Sequence, residues 1–166
     1  YVSSIGEFVD EFETRLADYT GAKFVIATSS GTAALHVALH LADVQRGDEV
    51  ITAPLTFVAT CNAIRYCGAE PGFDAVEWQT LGLCAESLAS FLETQAEVLD
   101  DCLFWNRISG RFIRACVPVH NLGHPVRIHE IAAICAKYKI RLVEDAAESL
   151  GSLTRGVHTG RTGCMG

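Results

Sequence analysis

Apolar and polar positions along the chain alternate between two periods, one helical and one extended. Phe8, Phe12, Leu16 and Tyr19 recur on one face behind Ser4 and Glu7, which stand at capping-box distance, and Gly21 closes the segment. That pattern predicts an amphipathic helix. Phe24 to Thr28 is a short apolar run, predicted as a strand, and the small residues after it lead into an Ala- and Leu-rich helix from Thr32 to Ala42. Gly47-Asp48 turns into a strand over Glu49–Thr52, and Thr56 caps a helix running to about Tyr66, ended by Gly68. Glu70 to Val76 begins a further strand and connection. A helix is predicted over Ala85–Leu99, with Leu88, Phe91 and Leu92 on one side. Positions 100–114 are polar and turn-like around Ser109-Gly110 and have the character of a hairpin insertion. Ala115–Val119 reads as a buried strand, Ile128–Tyr138 as a helix and Arg141–Glu144 as the last clear strand.

Strands thus alternate with helices, and several strands are continuous apolar runs rather than half-polar ones. Such runs belong to a mostly parallel sheet covered by helices on both faces, so the expected class is α/β. At 166 residues and 49% hydrophobic content the chain suffices for one domain with a substantial core. No segment has the length and apolarity of a membrane span, and Tyr1 to Glu13 is polar and acidic, unlike a secretory leader. A net charge of −7 without a Lys/Arg stripe argues against nucleic-acid binding. The seven cysteines are scattered without CxxC spacing, which favours reduced thiols in a cytoplasmic protein. The chain opens directly on a helix and stops at Thr162–Gly166 without a terminal element, so a fragment is expected.

Two segments carry chemistry. Ser29-Ser30-Gly31-Thr32 joins a predicted strand to a helix, where small residues let backbone approach a phosphate and the helix N-terminus offers unpaired N–H groups. It is neither a P-loop nor a dinucleotide fingerprint, and a plain capped turn accounts for the same residues. Asp145 and Glu148 lie just past an apolar strand, the edge at which α/β proteins bind ligands. A fixed carboxylate there can keep a proton on a heteroaromatic nitrogen, as pyridoxal phosphate requires, though a helix N-cap pair fits equally well. Phe57 follows another strand and can stack on a flat ring or fill the core. His36 and His40 have helical spacing but no third ligand nearby, so no metal is expected, and His120 or His124 is the better functional histidine.

Taken together, Tyr1–Val9, Ser30–Leu35, Gly47–Val50, Thr56–Thr60, Pro118–His120, Gly123–Pro125 and Val143–Ser149 resemble, in order and over nearly the whole chain, the DegT/DnrJ/EryC1/StrS sugar aminotransferases. Thr80–Leu83 to Arg114 is most similar to the branch making legionaminic- and bacillosamine-type sugars. The resemblance implies a three-layer α/β/α, fold-type-I large domain with a mostly parallel mixed sheet, of which residues 1–166 form the N-terminal part, with the small C-terminal domain absent. It also implies a homodimer with pyridoxal 5′-phosphate as cofactor. Gly31, Thr32 and Ala33 would bind the cofactor phosphate, Phe57 would stack on the ring, Asp145 would hold the ring nitrogen and Glu148 would sit by the ring hydroxyl. The family's Schiff-base lysine would lie beyond Gly166, since Lys23, Lys137 and Lys139 match no such position.

The expected activity is transamination of a nucleotide-linked 4-keto-6-deoxy sugar, with glutamate as amino donor, in glycan sugar biosynthesis, the fragment itself being inactive. The alternatives are a sugar dehydratase of the same family and a non-catalytic relative that binds the cofactor or a nucleotide sugar.

Overall fold

A computed structural model describes residues 6–99 and 103–166. The helices are α1 (Glu7–Thr20), α2 (Gly31–Leu41), α3 (Val58–Tyr66), α4 (Ala85–Gln95) and α5 (Ile128–Lys137). The strands are β1 (Glu49–Thr52), β2 (Glu70–Phe73), β3 (Ala96–Leu99), β4 (Leu103–Asn106), β5 (Arg111–Val117), β6 (Arg141–Leu142), β7 (Leu153–Thr154) and β8 (Val157–His158).

Strand β5 organises the main sheet. One edge pairs in parallel with β1, which pairs in parallel with β2. The other edge is shared: residues 111–113 pair antiparallel with β4, and Ala115 and Cys116 pair in parallel with β6. The parallel part is doubly covered, and single-residue alternation shows it. Val50, Ala115, Val117 and Val143 pack with Leu35 and Leu39 of α2 and Ala63 and Ile64 of α3. Their neighbours Ile51, Cys116 and Leu142 point the other way, against Leu88 and Leu92 of α4 and Ile128 and Ile131 of α5. A strand buried on both faces needs no polar side, which is why these segments read as unbroken apolar runs. The result is the three-layer α/β/α arrangement with a mixed, largely parallel sheet. Inside it a hydrogen bond with Cys135 and burial push the Cys116 thiol well above its usual range, so this cysteine packs as a small hydrophobe.

Three sequence expectations about the sheet change. The run Phe24–Thr28 is not a strand, because no described segment pairs with it; Phe24 and Ile26 are 77% and 78% exposed. Its backbone is tied instead to α1, Ala27 N–H donating to Glu13 Oε1 at 2.7 Å. The helix predicted over Ala85–Leu99 ends at Gln95, and its last four residues become β3, paired with β4 from Ala96↔Asn106 to Leu99↔Leu103. Cross-strand pairing overrides local helix preference there. The hairpin at 100–114 exists, but its second arm is continuous with the buried strand, which starts at Arg111. Its turn is anchored by buried Glu49, which accepts from Asn106 Nδ2 at 2.9 Å and from the Ser109 hydroxyl.

Helix α1 starts at Glu7 after Gly6, and the Ser4 cap lies outside the described residues. Gly21 ends it in the left-handed region, at φ 71°. Its predicted apolar face is exposed at Phe8, Phe12 and Tyr19, and none of its residues is buried. Tyr19 packs edge-on against His158 of the β7–β8 hairpin at 6.1 Å between ring centroids. Among the described residues no helix is long and apolar enough to cross a membrane.

Candidate active site at the carboxyl edge of the sheet

Past the carboxyl end of β6 the chain stays registered with the segment after β5. Asp145 N–H donates to Pro118 O and His120 N–H to Asp145 O, both at 3.0 Å. This ladder fixes Glu144 and Asp145, consecutive buried carboxylates, on opposite sides of the backbone.

Glu144 is 1% exposed and completely engaged. Its Oε1 accepts from Thr162 N–H and Gly163 N–H, each at 2.6 Å. Its Oε2 accepts from Gly160 N–H and His120 Nε2, each at 3.0 Å. Two donors on each oxygen use the whole acceptor capacity of a carboxylate. Burial alone would raise its pKa, but the bonds from His120, Gly163 and Gly160 hold it below the usual carboxylate value. The close approach needs Gly163, where a Cβ would lie 2.6 Å from Leu142 O. His120 is equally spent: Nδ1 accepts from Val126 N–H at 3.2 Å, so the ring proton sits on Nε2 and goes to Glu144. With both nitrogens used and no exposure, His120 is structural rather than a ligand-facing group, and His124 is exposed.

Asp145 differs. It is 6% exposed, and among the described residues two donors reach it: Thr60 Oγ1 to Oδ2 at 2.7 Å and Ala147 N–H to Oδ1 at 3.2 Å. One acceptor position on each oxygen remains for a ligand. A nearly buried carboxylate with spare capacity suits a protonated ring nitrogen.

Thr60 lies on the first turn of α3, whose N-cap is Phe57, one residue after the predicted Thr56 cap. Phe57 is 72% exposed and so does not fill the core, which leaves its ring face open at the sheet edge. Helix α2, which packs on α3, is capped by Ser30, whose Oγ accepts from Ala33 N–H at 3.2 Å. The Gly31 and Thr32 N–H groups, without intrahelical acceptors by helix geometry, carry the positive end of the dipole. The Ala33 N–H is the one first-turn donor here already given to the cap. Glu148 is exposed, with Oε2 accepting from Leu122 N–H at 2.7 Å and Oε1 left over. Asn121 joins the neighbouring loops, donating from Nδ2 to Leu55 O at 3.0 Å and Leu81 O at 2.8 Å.

The residues present fit pyridoxal phosphate in kind: a helix N-terminus for the phosphate, an open aromatic face for the ring and an under-used buried carboxylate for its nitrogen. The lysines lie elsewhere. Lys137 bonds Glu93 at 3.2 Å, Lys137 and Lys139 precede β6 while Asp145 follows it, and Lys23 sits over Phe24 at 5.1 Å. Among the described residues, Glu77, Cys84 and Glu86 gather metal-type ligand atoms within 4.8 Å. There Arg127 takes both carboxylates, at 2.7 Å and 2.6 Å, and holds Glu86 at a pKa of about 2. Sequence reasoning missed Thr60, Glu144 and Asn121. Only the double acid at positions 144–145 signalled a buried polar centre.

Fold and edge together define part of a fold-type-I pyridoxal-phosphate transferase. The chain belongs to the DegT/DnrJ/EryC1/StrS aminotransferase family, whose pattern it matches over residues 1–166. It is 34% identical to the GDP-perosamine synthase of Caulobacter vibrioides, across 98% of this chain and 39% of that protein. A DegT/DnrJ/EryC1/StrS aminotransferase from Brucella abortus superposes with a TM-score of 0.84 at 30% identity, over 96% of this chain and 40% of that one. A GDP-4-keto-6-deoxymannose-3-dehydratase holding a trapped PLP-glutamate geminal diamine superposes at 0.77 and 26% identity, over 96% and 38% of the two chains. The chain therefore spans about two fifths of the length of these relatives.

Proposed function

We propose that residues 1–166 form the N-terminal part of the large cofactor-binding domain of an enzyme that aminates a nucleotide-linked 4-keto-6-deoxy sugar. The observation that carries this reading is the pairing of Asp145, buried with spare acceptor capacity, with the exposed Phe57 one helical turn from its partner Thr60. The likeness to a perosamine synthase supports a nucleotide sugar as substrate, and the glutamate adduct of the dehydratase supports glutamate as donor.

Pyridoxal phosphate, when bound, supplies the electron sink and carries the amino group. In this reading Asp145 keeps the ring nitrogen protonated, so negative charge developing on the reacting carbon has somewhere to go. Gly31 and Thr32 present backbone N–H groups to the phosphate, and Ala33 joins them where Ser30 releases its N–H. Phe57 covers one ring face and excludes water from it. Glu148, fixed by Leu122 N–H through one oxygen, offers the other to the ring hydroxyl. In this reading the lysine that would hold the cofactor lies outside these residues, and its amine would supply general acid–base chemistry there. The whole enzyme works in the cytoplasm as a homodimer.

The test is to supply the complete protein with pyridoxal phosphate, glutamate and GDP- or dTDP-linked 4-keto-6-deoxy sugars, and to follow 2-oxoglutarate and product mass. An amino sugar formed with one equivalent of 2-oxoglutarate is expected. Loss of a sugar hydroxyl without nitrogen gain would establish the dehydratase reading, which the solved dehydratase relative favours. Residues 1–166 alone, reduced with borohydride in the presence of the cofactor, should show no specific label on Lys23, Lys137 or Lys139.

A further inference from the structure

The Asp145 carboxylate is served by a line of hydroxyls to which the functional reading assigns no role of their own. Thr60 is 1% exposed, and its Oγ1 lies 2.7 Å from Asp145 Oδ2 across 85 residues of sequence. Behind it, Thr56 Oγ1 lies 2.8 Å from Thr60 Oγ1. Proton accounting gives the line a direction. An ionised carboxylate only accepts, so the single Thr60 proton goes to Asp145. The Thr60 oxygen is then free to accept, and Thr56 supplies the proton in preference to its longer contact, 3.2 Å, with Phe57 O. Both hydroxyls belong to the turn that also presents Phe57, with Thr60 N–H donating to Phe57 O at 3.2 Å.

We infer that Thr60, backed by Thr56, is a positioning residue for Asp145: the directed Thr56–Thr60–Asp145 hydrogen bonds fix the carboxylate plane so that its unused acceptor positions meet the protonated ring nitrogen of the cofactor. Asp145 has two side-chain torsions, and Ala147 N–H at 3.2 Å restrains only Oδ1. Without the Thr60 donor the carboxylate can rotate, and its spare positions are no longer held toward one acceptor-seeking partner. One helical turn therefore couples the group covering the ring face to the group meeting the ring edge. The inference rests on the assignment of Asp145 to the ring nitrogen.

The experiment uses the complete apo protein and two probes that form no covalent bond with it: pyridoxamine 5′-phosphate and its 1-deaza analogue, in which carbon replaces the ring nitrogen. The quantity read is the ratio of their dissociation constants, from fluorescence titration. In the native protein the nitrogen-containing probe binds more tightly. Thr60→Val, isosteric but without a hydroxyl, should reduce that preference about 3- to 10-fold while leaving affinity for the deaza probe unchanged. Thr60→Ser should restore it, and Thr56→Val should lower it by a smaller factor. A purely structural Thr60 would weaken both probes equally and leave the ratio unchanged, which overturns the inference. Should Thr60→Val fail to fold, the pair Thr60→Ser and Thr56→Val decides: a ratio indifferent to Thr56→Val counts against the line of hydroxyls. Asp145→Ala separates the two levels. If it leaves the ratio unchanged, the assignment of Asp145 falls and takes this inference with it. If it abolishes the preference and Thr60→Val does not reduce it, only the role of Thr60 falls.

Discussion

Glu144 and Asp145 are the same functional group one residue apart, both buried, and they do opposite work. Four donors close on Glu144, which ties β6 to the Gly160–Gly163 segment and to His120. Two donors reach Asp145, which keeps acceptor positions unused. Burial and charge therefore do not by themselves mark a functional carboxylate. What distinguishes a structural anion from a reactive one is whether the fold has already spent its lone pairs.

The contrast breaks if the two residues respond alike to mutation. Glu144→Ala leaves three backbone N–H groups and the His120 Nε2 proton without an acceptor, so a loss of about 3–5 kcal/mol is expected in urea unfolding. A loss below about 1 kcal/mol would mean the cage is not holding the fold. Asp145→Ala should instead weaken pyridoxamine phosphate binding roughly 10- to 100-fold, the worth of one hydrogen bond to a charged partner. Asp145→Asn in the complete enzyme should abolish transamination while far-UV circular dichroism and the unfolding midpoint stay near native values, because an amide cannot hold the pyridinium charge.

Acid sharpens the same comparison. The Glu144 pKa lies below its ordinary 4.5 in the folded protein, so its contribution is complete above that value. It is lost as pH falls through the lower, folded-state pKa. Urea unfolding from neutral pH down to about pH 3 should show an acid-side decline that Glu144→Gln removes from an already weakened protein. If the decline persists unchanged in that variant, other carboxylates cause it.

The smallest effect concerns the other end of the site. A Cβ at Gly31 would meet nothing within 4 Å, so Gly31→Val should change stability by no more than about 0.5 kcal/mol. It should nevertheless reduce affinity for the phosphorylated cofactor about tenfold, by keeping the phosphate off the backbone, whereas Thr32→Ala should cost only a few-fold. Titration of the cofactor into both variants checks this, and equal, negligible effects would reduce the segment to an ordinary helix cap.

Local pattern determined much of the molecule. The alternation of Val50 and Ile51, and of Ala115, Cys116 and Val117, between two core layers is written in apolar runs that tolerate no wet face. Helix α1 and its Gly21 terminus, α2 with its small-residue entry, α5, and the Asp145 edge follow from capping, periodicity and the strand end preceding an acidic pair. Other features depended on partners distant in sequence. Phe24–Thr28 has strand composition but needs a neighbouring strand to become one. Ala96–Leu99 has helical context yet joins the sheet because β4 lies beside it. The same reason governs the site. Nothing local distinguishes Glu144 from Asp145, because the donors that saturate one come from positions 120 and 160–163 and the hydroxyl that orients the other comes from position 60. Side-chain type and spacing could nominate the carboxylates; only the three-dimensional supply of hydrogen-bond donors decided which of them remained free to act.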